Sequence, residues 1–168
     1  GYLGTIEERV DIDLLVSIAQ KHQDKELVLC GPIWPGIKQE LENKTRGERN
    51  IHTYGRIKFD DAPSYLNQFN VAIIPHKLNK FVNSMNPMKM YDYLACGKPV
   101  VATAGAGIDM FKDHIYIAKS TDEFISQIDQ ALLEDSAEKR ELRREAVKKH
   151  SWRERTDKMT EIVYKKLT

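Results

Sequence analysis

At 168 residues, with 41% apolar and 30% charged side chains and a net charge of +1, the chain has the size and balance of one globular domain. Such a domain buries roughly 70% of the surface its unfolded form exposes. This composition excludes a disordered or disulfide-stapled chain, and the absence of any apolar run near the ~20 residues of a membrane span, or of a charged-then-apolar leader, points to a cytoplasmic protein.

Short apolar runs alternate with helical patterns along the chain, as repeated strand-helix-strand units require. The expected strands are GYLGT (1–5), ELVLCG (26–31), NIHTYG (50–55), VAIIPH (71–76), KPVVAT (98–103) and IYIAK (115–119). Asp11 or Asp13 caps a helix whose Leu14, Leu15, Ile18 and Ala19 share one face. Asp60 and Asp61 precede a helix containing Tyr65 and Leu66, and Thr121 opens DEFISQIDQALL. VAIIP and PVVA are apolar on both faces, so the fold class is α/β: a doubly wound, mostly parallel six-stranded sheet with helices on each side. Cys30 and Cys96 make no metal spacing and read as reduced, buried small hydrophobes.

The tail from residue 136 to 168 carries 11 Lys+Arg against 6 Asp+Glu, net +5, which leaves the rest of the chain at −4. Its narrow apolar stripe describes a helical tail with a solvated face; an anionic membrane surface or acidic acceptor is the sharper alternative. Nucleic acid is not expected, because no basic motif is interleaved with aromatics.

Ligands in such sheets gather beyond the carboxyl ends of the strands. The loop after Pro75, HKLNKFVNSMN, is the longest candidate and leads into PMKMYDYLACGKPVVAT. Pro87 suits the first helical position, leaving the amides of Met88 and Lys89 without intrahelical acceptors at the positive end of the helix dipole. Lys89 is electrostatically misplaced there. Either it snorkels to solvent at a cost of ~0.3–1 kcal/mol, or an anion such as phosphate is held between it and the free amides.

The run P-M-K-M-Y-D-Y-L-A-C-G-K-P-V-V-A-T, preceded by YGRIKFDDAPSYLNQFNVAIIPHKLN and by the opening GYLGTIEERVDIDLLVSIAQ, and followed by the closing HSW, resembles the C-terminal half of family 4 retaining glycosyltransferases of GT-B architecture. The likeness spans nearly the whole chain. It implies a single nucleotide-sugar-binding domain over 1–168, with an acceptor-binding domain N-terminal to it in a full-length enzyme. The implied role is metal-free, cofactor-free transfer of a sugar from a nucleotide diphosphate sugar, as in polysaccharide biosynthesis, in the cytoplasm or at the inner face of the membrane. Family members carry two glutamates with seven residues between them near this helix; Asp92 stands at the second, which contacts the donor ribose, and a carboxylate there can accept two hydroxyl hydrogen bonds. The helix-surface role of Asp92, three residues after Lys89, is the alternative. Ser84 replaces the first glutamate, leaving Asn83 or Asn86 for the sugar. The family's diphosphate-binding amides fall on Met85, Asn86, Met88 and Lys89. Gly4 allows close approach to a phosphate, Arg9 is the basic residue of the first loop, beside Glu7 and Glu8, and Arg56 and Ile57 match the segment that cradles the base, although Ile57 also suits a core. Candidate diphosphate stabilisers are thus Arg9 and Lys89.

Other signals carry less. DID at 11–13 begins a helix, where capping explains it, and GAG at 105–107 lacks the remainder of a dinucleotide fingerprint. His76 stands at a strand's carboxyl end; the other histidines are scattered, and no metal site emerges. Tyr91, Tyr93 and Leu94 form the packing face of their helix. Besides a glycosyltransferase donor half, the readings left open are a non-catalytic nucleotide-binding or scaffolding domain and a nucleotide-sugar epimerase.

Overall fold

A computed structural model describes residues 1–167, apart from the side chains of Phe81, Asn83, Ala106 and Leu167. The six expected strands are all present: β1 (Tyr2–Leu3), β2 (Leu27–Cys30), β3 (Ile51–Tyr54), β4 (Ala72–Ile74), β5 (Val100–Thr103) and β6 (Tyr116–Ala118). Every pairing is parallel, but the six strands form two three-stranded sheets, ordered β1-β2-β3 and β4-β5-β6, rather than the single sheet expected. The division has a visible cause. β1 lies beside β4, tied by the bonds from Gly1 N to Val71 O (2.7 Å) and from Ile73 N to Gly1 O (2.8 Å). One residue on, the phenol of buried Tyr93 takes both free backbone groups of Leu3, accepting from its N–H at 2.7 Å and donating to its carbonyl at 3.1 Å. The ladder stops there because a side chain has satisfied the groups that would continue it.

Helices α1 (Ile12–Lys21), α2 (Pro35–Thr45), α3 (Ala62–Gln68), α4 (Lys80–Asn83), α5 (Met88–Ala95), α6 (Thr121–Glu134), α7 (Ala137–Lys148) and α8 (Trp152–Leu167) alternate with the strands and then form the tail. Asp11 caps α1, its carboxylate accepting from Leu14 N at 3.0 Å, while α6 opens at Thr121 with Ser120 as its cap. A 3-10 turn, Phe59–Asp61, carries the two aspartates into α3. α4 lies inside the long segment read as a loop, its start fixed by Asn79 accepting from Val82 N. Two apolar clusters fill the layers. One joins β1 and β2 to α1, α2 and α6; the other packs Met90, Tyr91, Tyr93 and Leu94 of α5 against β4 and β5. Cys30 is fully buried and Cys96, at the end of α5, half-buried; both are free thiols. Buried Arg143 of α7 bridges Asp135 (2.6 Å) and the Gly97 carbonyl (3.2 Å), holding the tail against the α5–β5 turn. Among the described residues no helix is long and apolar enough to cross a membrane.

Candidate functional site

Three segments meet beyond the carboxyl ends of β1, β2 and β4. The first loop is stitched to the second connection by Gly4 N to Cys30 O (2.8 Å), Ile6 N to Pro32 O (2.9 Å) and Trp34 N to Ile6 O (2.8 Å). On its other side Asp11 N donates to Pro75 O (2.8 Å) and Lys77 N to Arg9 O (2.7 Å). A loop bonded on both edges is a fixed wall. Gly31, at φ +146, makes the first crossing possible, because a Cβ there would lie 2.0 Å from the Gly4 carbonyl oxygen.

Against this wall lies Lys89. Its side chain runs past Gly4, where a Cβ would come within 2.9 Å of its Cε, and its Nζ donates to the Tyr2 hydroxyl at 2.9 Å. The Tyr2 hydroxyl in turn donates to the Thr5 carbonyl (2.8 Å), so its lone pairs face the lysine. Nζ also stands 3.4 Å from His76 Nε2 and 4.5 Å from the Tyr2 ring centroid. Of the two alternatives, snorkelling to water is not what is found: Lys89 is half-buried and its ammonium lies against the Tyr2 hydroxyl and His76. Burial first, then the nearby Arg9 charge, brings it from 10.5 down to about 7, with Glu7 opposing. His76 is pushed down to about 3 by burial and then by Lys89 and Arg9, so its neutral ring can accept from the ammonium. Burial raises the Tyr2 phenol above its ordinary range.

Pro87 is the cap of α5 rather than its first helical residue: its ψ is 107°, and its carbonyl accepts from Met90 N at 3.0 Å. The consequence for the helix end is unchanged. The amides of Met88 and Lys89 have no hydrogen-bond partner among the described residues, and Met88 is 55% exposed, so this end is open. The Met85 amide, by contrast, is occupied by Val82 O at 3.1 Å, which corrects its expected part in anion binding. The Met85 carbonyl is pressed against Gly107, where a Cβ would sit 1.6 Å from it. Asn86 is exposed, and its side chain donates to the Tyr91 hydroxyl at 2.9 Å. Ser84 is exposed beside them, and the side chain of Asn83 lies outside the described residues.

Arg9 lies beside the same segment, near Lys89. Glu7 forms an ion pair with it, Nη1 stands 3.5 Å from Met85 Sδ, and Nε is buried without a partner. The cation is thus partly neutralised in place by Glu7. Glu8 turns away toward Gly36 at the start of α2. Asp92 lies one turn into α5, solvent-facing, its carboxyl nevertheless raised by neighbouring protein mass. It makes no ion pair with Lys89, which points elsewhere. Gly4 also borders a second hollow of about 300 Å³, lined by Leu3, Thr5, Cys30, Gly31, Arg56 and Ile57 among others. Arg56 is exposed, while half-buried Ile57 both lines the hollow and packs on the core. A cavity of about 400 Å³ at the opposite strand ends, near His22 and Phe69, shares none of these residues.

Gly4, Arg9, Met85, Asn86, Met88 and Lys89 are therefore brought together, with Arg56 and Ile57 adjoining through Gly4. Ser84 adjoins Met85 in the chain, and Asp92 lies one turn further along α5. Tyr2 was legible only as a strand residue, and Gly107 only as part of a discounted motif. A tyrosine at the start of a strand whose next residue but one is glycine is the faint signal of the former.

Residues 11–161 match the profile of a family described as glycosyl transferase-like. A Bacillus subtilis (strain 168) protein, TuaH, named as a candidate teichuronic acid biosynthesis glycosyltransferase, is 25% identical over 157 residues, which cover 90% of this chain and 39% of that protein. The chain thus spans about two fifths of the curated relative it matches. Among solved structures, sucrose-phosphate synthase from Thermosynechococcus elongatus superposes on 99% of this chain and 44% of its own, with a TM-score of 0.80 at 19% identity. HepE of Anabaena, crystallised with UDP and glucose, covers 99% of this chain and 47% of its own, with a TM-score of 0.68 at 17% identity.

Proposed function

Since this chain belongs to the glycosyl transferase-like family, we propose that its crevice binds the diphosphate of a nucleotide diphosphate sugar and that the chain is the donor half of a retaining transferase. The observation that carries this reading is the buried ammonium of Lys89 beside the unpartnered amides of Met88 and Lys89. An anion seated there gains the amide dipoles and a charge-assisted bond, and relieves the repulsion between Lys89 and Arg9. In transfer, negative charge grows on the diphosphate as the glycosidic bond breaks. Donors fixed before that moment stabilise the transition state more than the ground state. The reading gives this task to Lys89, Arg9 and the amides of Asn86, Met88 and Lys89 rather than to a metal or cofactor. It places the base in the hollow by Arg56 and Ile57, the ribose hydroxyls at Asp92 and the sugar near Ser84 and Asn86. The acceptor falls to an N-terminal domain, and the name of TuaH, a teichuronic acid biosynthesis glycosyltransferase, supports a place in polysaccharide biosynthesis. The basic tail is assigned any peripheral contact with an anionic membrane.

The ion pair between Glu7 and Arg9 favours a second reading, a domain that binds nucleotide without transfer chemistry. Parallel titration of UDP, GDP and ADP tests the shared premise: saturable binding of at least one is expected, and binding of none refutes both readings. Single-turnover assay with an N-terminal half supplied separates enzyme from scaffold.

A further inference from the structure

Tyr91 belongs to the packing face of α5, yet its hydroxyl is fully engaged. It accepts from Asn86 Nδ2 at 2.9 Å and from Arg155 Nη2 at 3.1 Å, and donates to Met110 Sδ at 3.3 Å. A phenol has one proton and two lone pairs, so every position is filled. The ring is held edge-on by Phe111 (centroids 5.3 Å apart) and His150 (5.8 Å), while the Arg155 guanidinium carbon lies 5.3 Å from its centroid. Core aromatics fix one side of the tyrosine, and a cation from α8 fixes another.

The residue held by that hydroxyl is Asn86, next to the capping proline of α5 and in the segment that forms the rim of the crevice. On the other side of the same segment, Met85 is fixed by Arg9 at its sulfur and by Gly107 at its carbonyl. Asn86 has no other side-chain hydrogen bond among the described residues, so its placement depends on where the Tyr91 oxygen points.

We propose that Arg155 of the last helix is a positioning residue for the crevice, acting through the shared hydroxyl of Tyr91 to hold Asn86 and the start of α5. It touches no ligand and is not catalytic. Its contribution to anion binding rests on the function proposed above, but its contribution to local order does not. A guanidinium can donate to the hydroxyl and stack on the ring together, which an ammonium does less well. An apolar side chain of similar reach does neither.

The test compares Arg155→Leu, Arg155→Lys, Tyr91→Phe and the double variant Arg155→Leu/Tyr91→Phe with the unchanged chain. Amide hydrogen exchange without ligand comes first. Faster exchange of the two hydrogen-bonded amides that bracket the segment, Met85 (to Val82 O) and Met90 (to Pro87 O), is expected in Arg155→Leu and Tyr91→Phe, with partial recovery in Arg155→Lys and no further loss in the double variant, since both act on one chain of contacts. Faster exchange confined to residues 152–160, or additive losses in the double variant, would show that Arg155 only anchors its own helix and would overturn the proposal. UDP titration then reads the consequence, roughly fivefold weaker binding in Arg155→Leu, the size expected for one lost hydrogen bond. If exchange changes as expected while the unchanged chain binds no nucleotide diphosphate, the positioning role stands and the donor-site reading falls. If the unchanged chain binds UDP and Arg155→Leu binds it equally well with unaltered exchange, the reverse holds.

Discussion

Seating a diphosphate beside Lys89 changes the protonation of that residue, and the size of the change follows from its surroundings. Beside Tyr2 the ammonium is brought to about 7 by burial and by Arg9. At pH 8 about one lysine in ten is then charged. A bound diphosphate places opposite charge against it and returns it toward its ordinary range, so about 0.9 proton is taken up per site at pH 8 and about 0.5 at pH 7. The nucleotide itself is silent at pH 8, because phosphate ionisation near 6 is complete. The titratable neighbours of the lysine do not interfere: His76 is neutral, pushed down to about 3, and Tyr2 is raised out of range. Calorimetric titration of UDP in buffers of different ionisation enthalpy measures the uptake directly. Apparent affinity should also weaken above pH 7, approaching tenfold per pH unit, as the charged form becomes scarce. Zero uptake at pH 8, or the same uptake in Lys89→Met, would refute the assignment of Lys89 as the titrating cation.

Three further outcomes follow from the same geometry. Because the unfolded chain holds the Lys89 proton up to about 10.5 and the folded chain only to about 7, Lys89 destabilises the fold below pH 7 and the penalty fades as pH rises between those values. Lys89→Met should therefore unfold at higher urea than the unchanged chain at pH 6.5, by up to about 5 kcal/mol, with the gap closing toward pH 10; a gap independent of pH would contradict the burial argument. Tyr93→Phe strips both partners from the Leu3 backbone and should cost about 1–3 kcal/mol in denaturant unfolding, whereas a neutral result would show that the phenol does not replace the sheet ladder. Gly31→Ala forces a Cβ against the Gly4 carbonyl at φ +146 and should cost upward of about 2 kcal/mol while weakening UDP binding, because the wall beside Lys89 moves; a variant of unchanged stability would overturn this account of the first loop.

The strands were readable because VAIIP and PVVA are apolar on both faces, a pattern that only a sheet covered on each side requires. The split between β1 and β4 was not, since it depends on a phenol 90 residues away in sequence reaching Leu3. The anomaly of a lysine in the first turn of α5 was also legible, as a conflict with the helix dipole. Its resolution was hidden: Tyr2 and His76 come to Lys89 by topology, and no spacing announces them. Local sequence likewise showed Glu7 and Arg9 as neighbours but not that they pair with each other at the crevice. Pro87 was misplaced by one position because its φ suits both the cap and the first helical residue, while ψ, which decides between them, is set by the turn it closes.

The measurement that bears most directly on the crevice is the pair of backbone amide resonances of Met88 and Lys89, followed as UDP or GDP is added to the isotopically labelled chain. Saturable shifts of these two amides, lost in Lys89→Met, are predicted. A nucleotide that saturates the chain while leaving both resonances in place would contradict an anion site at the start of α5.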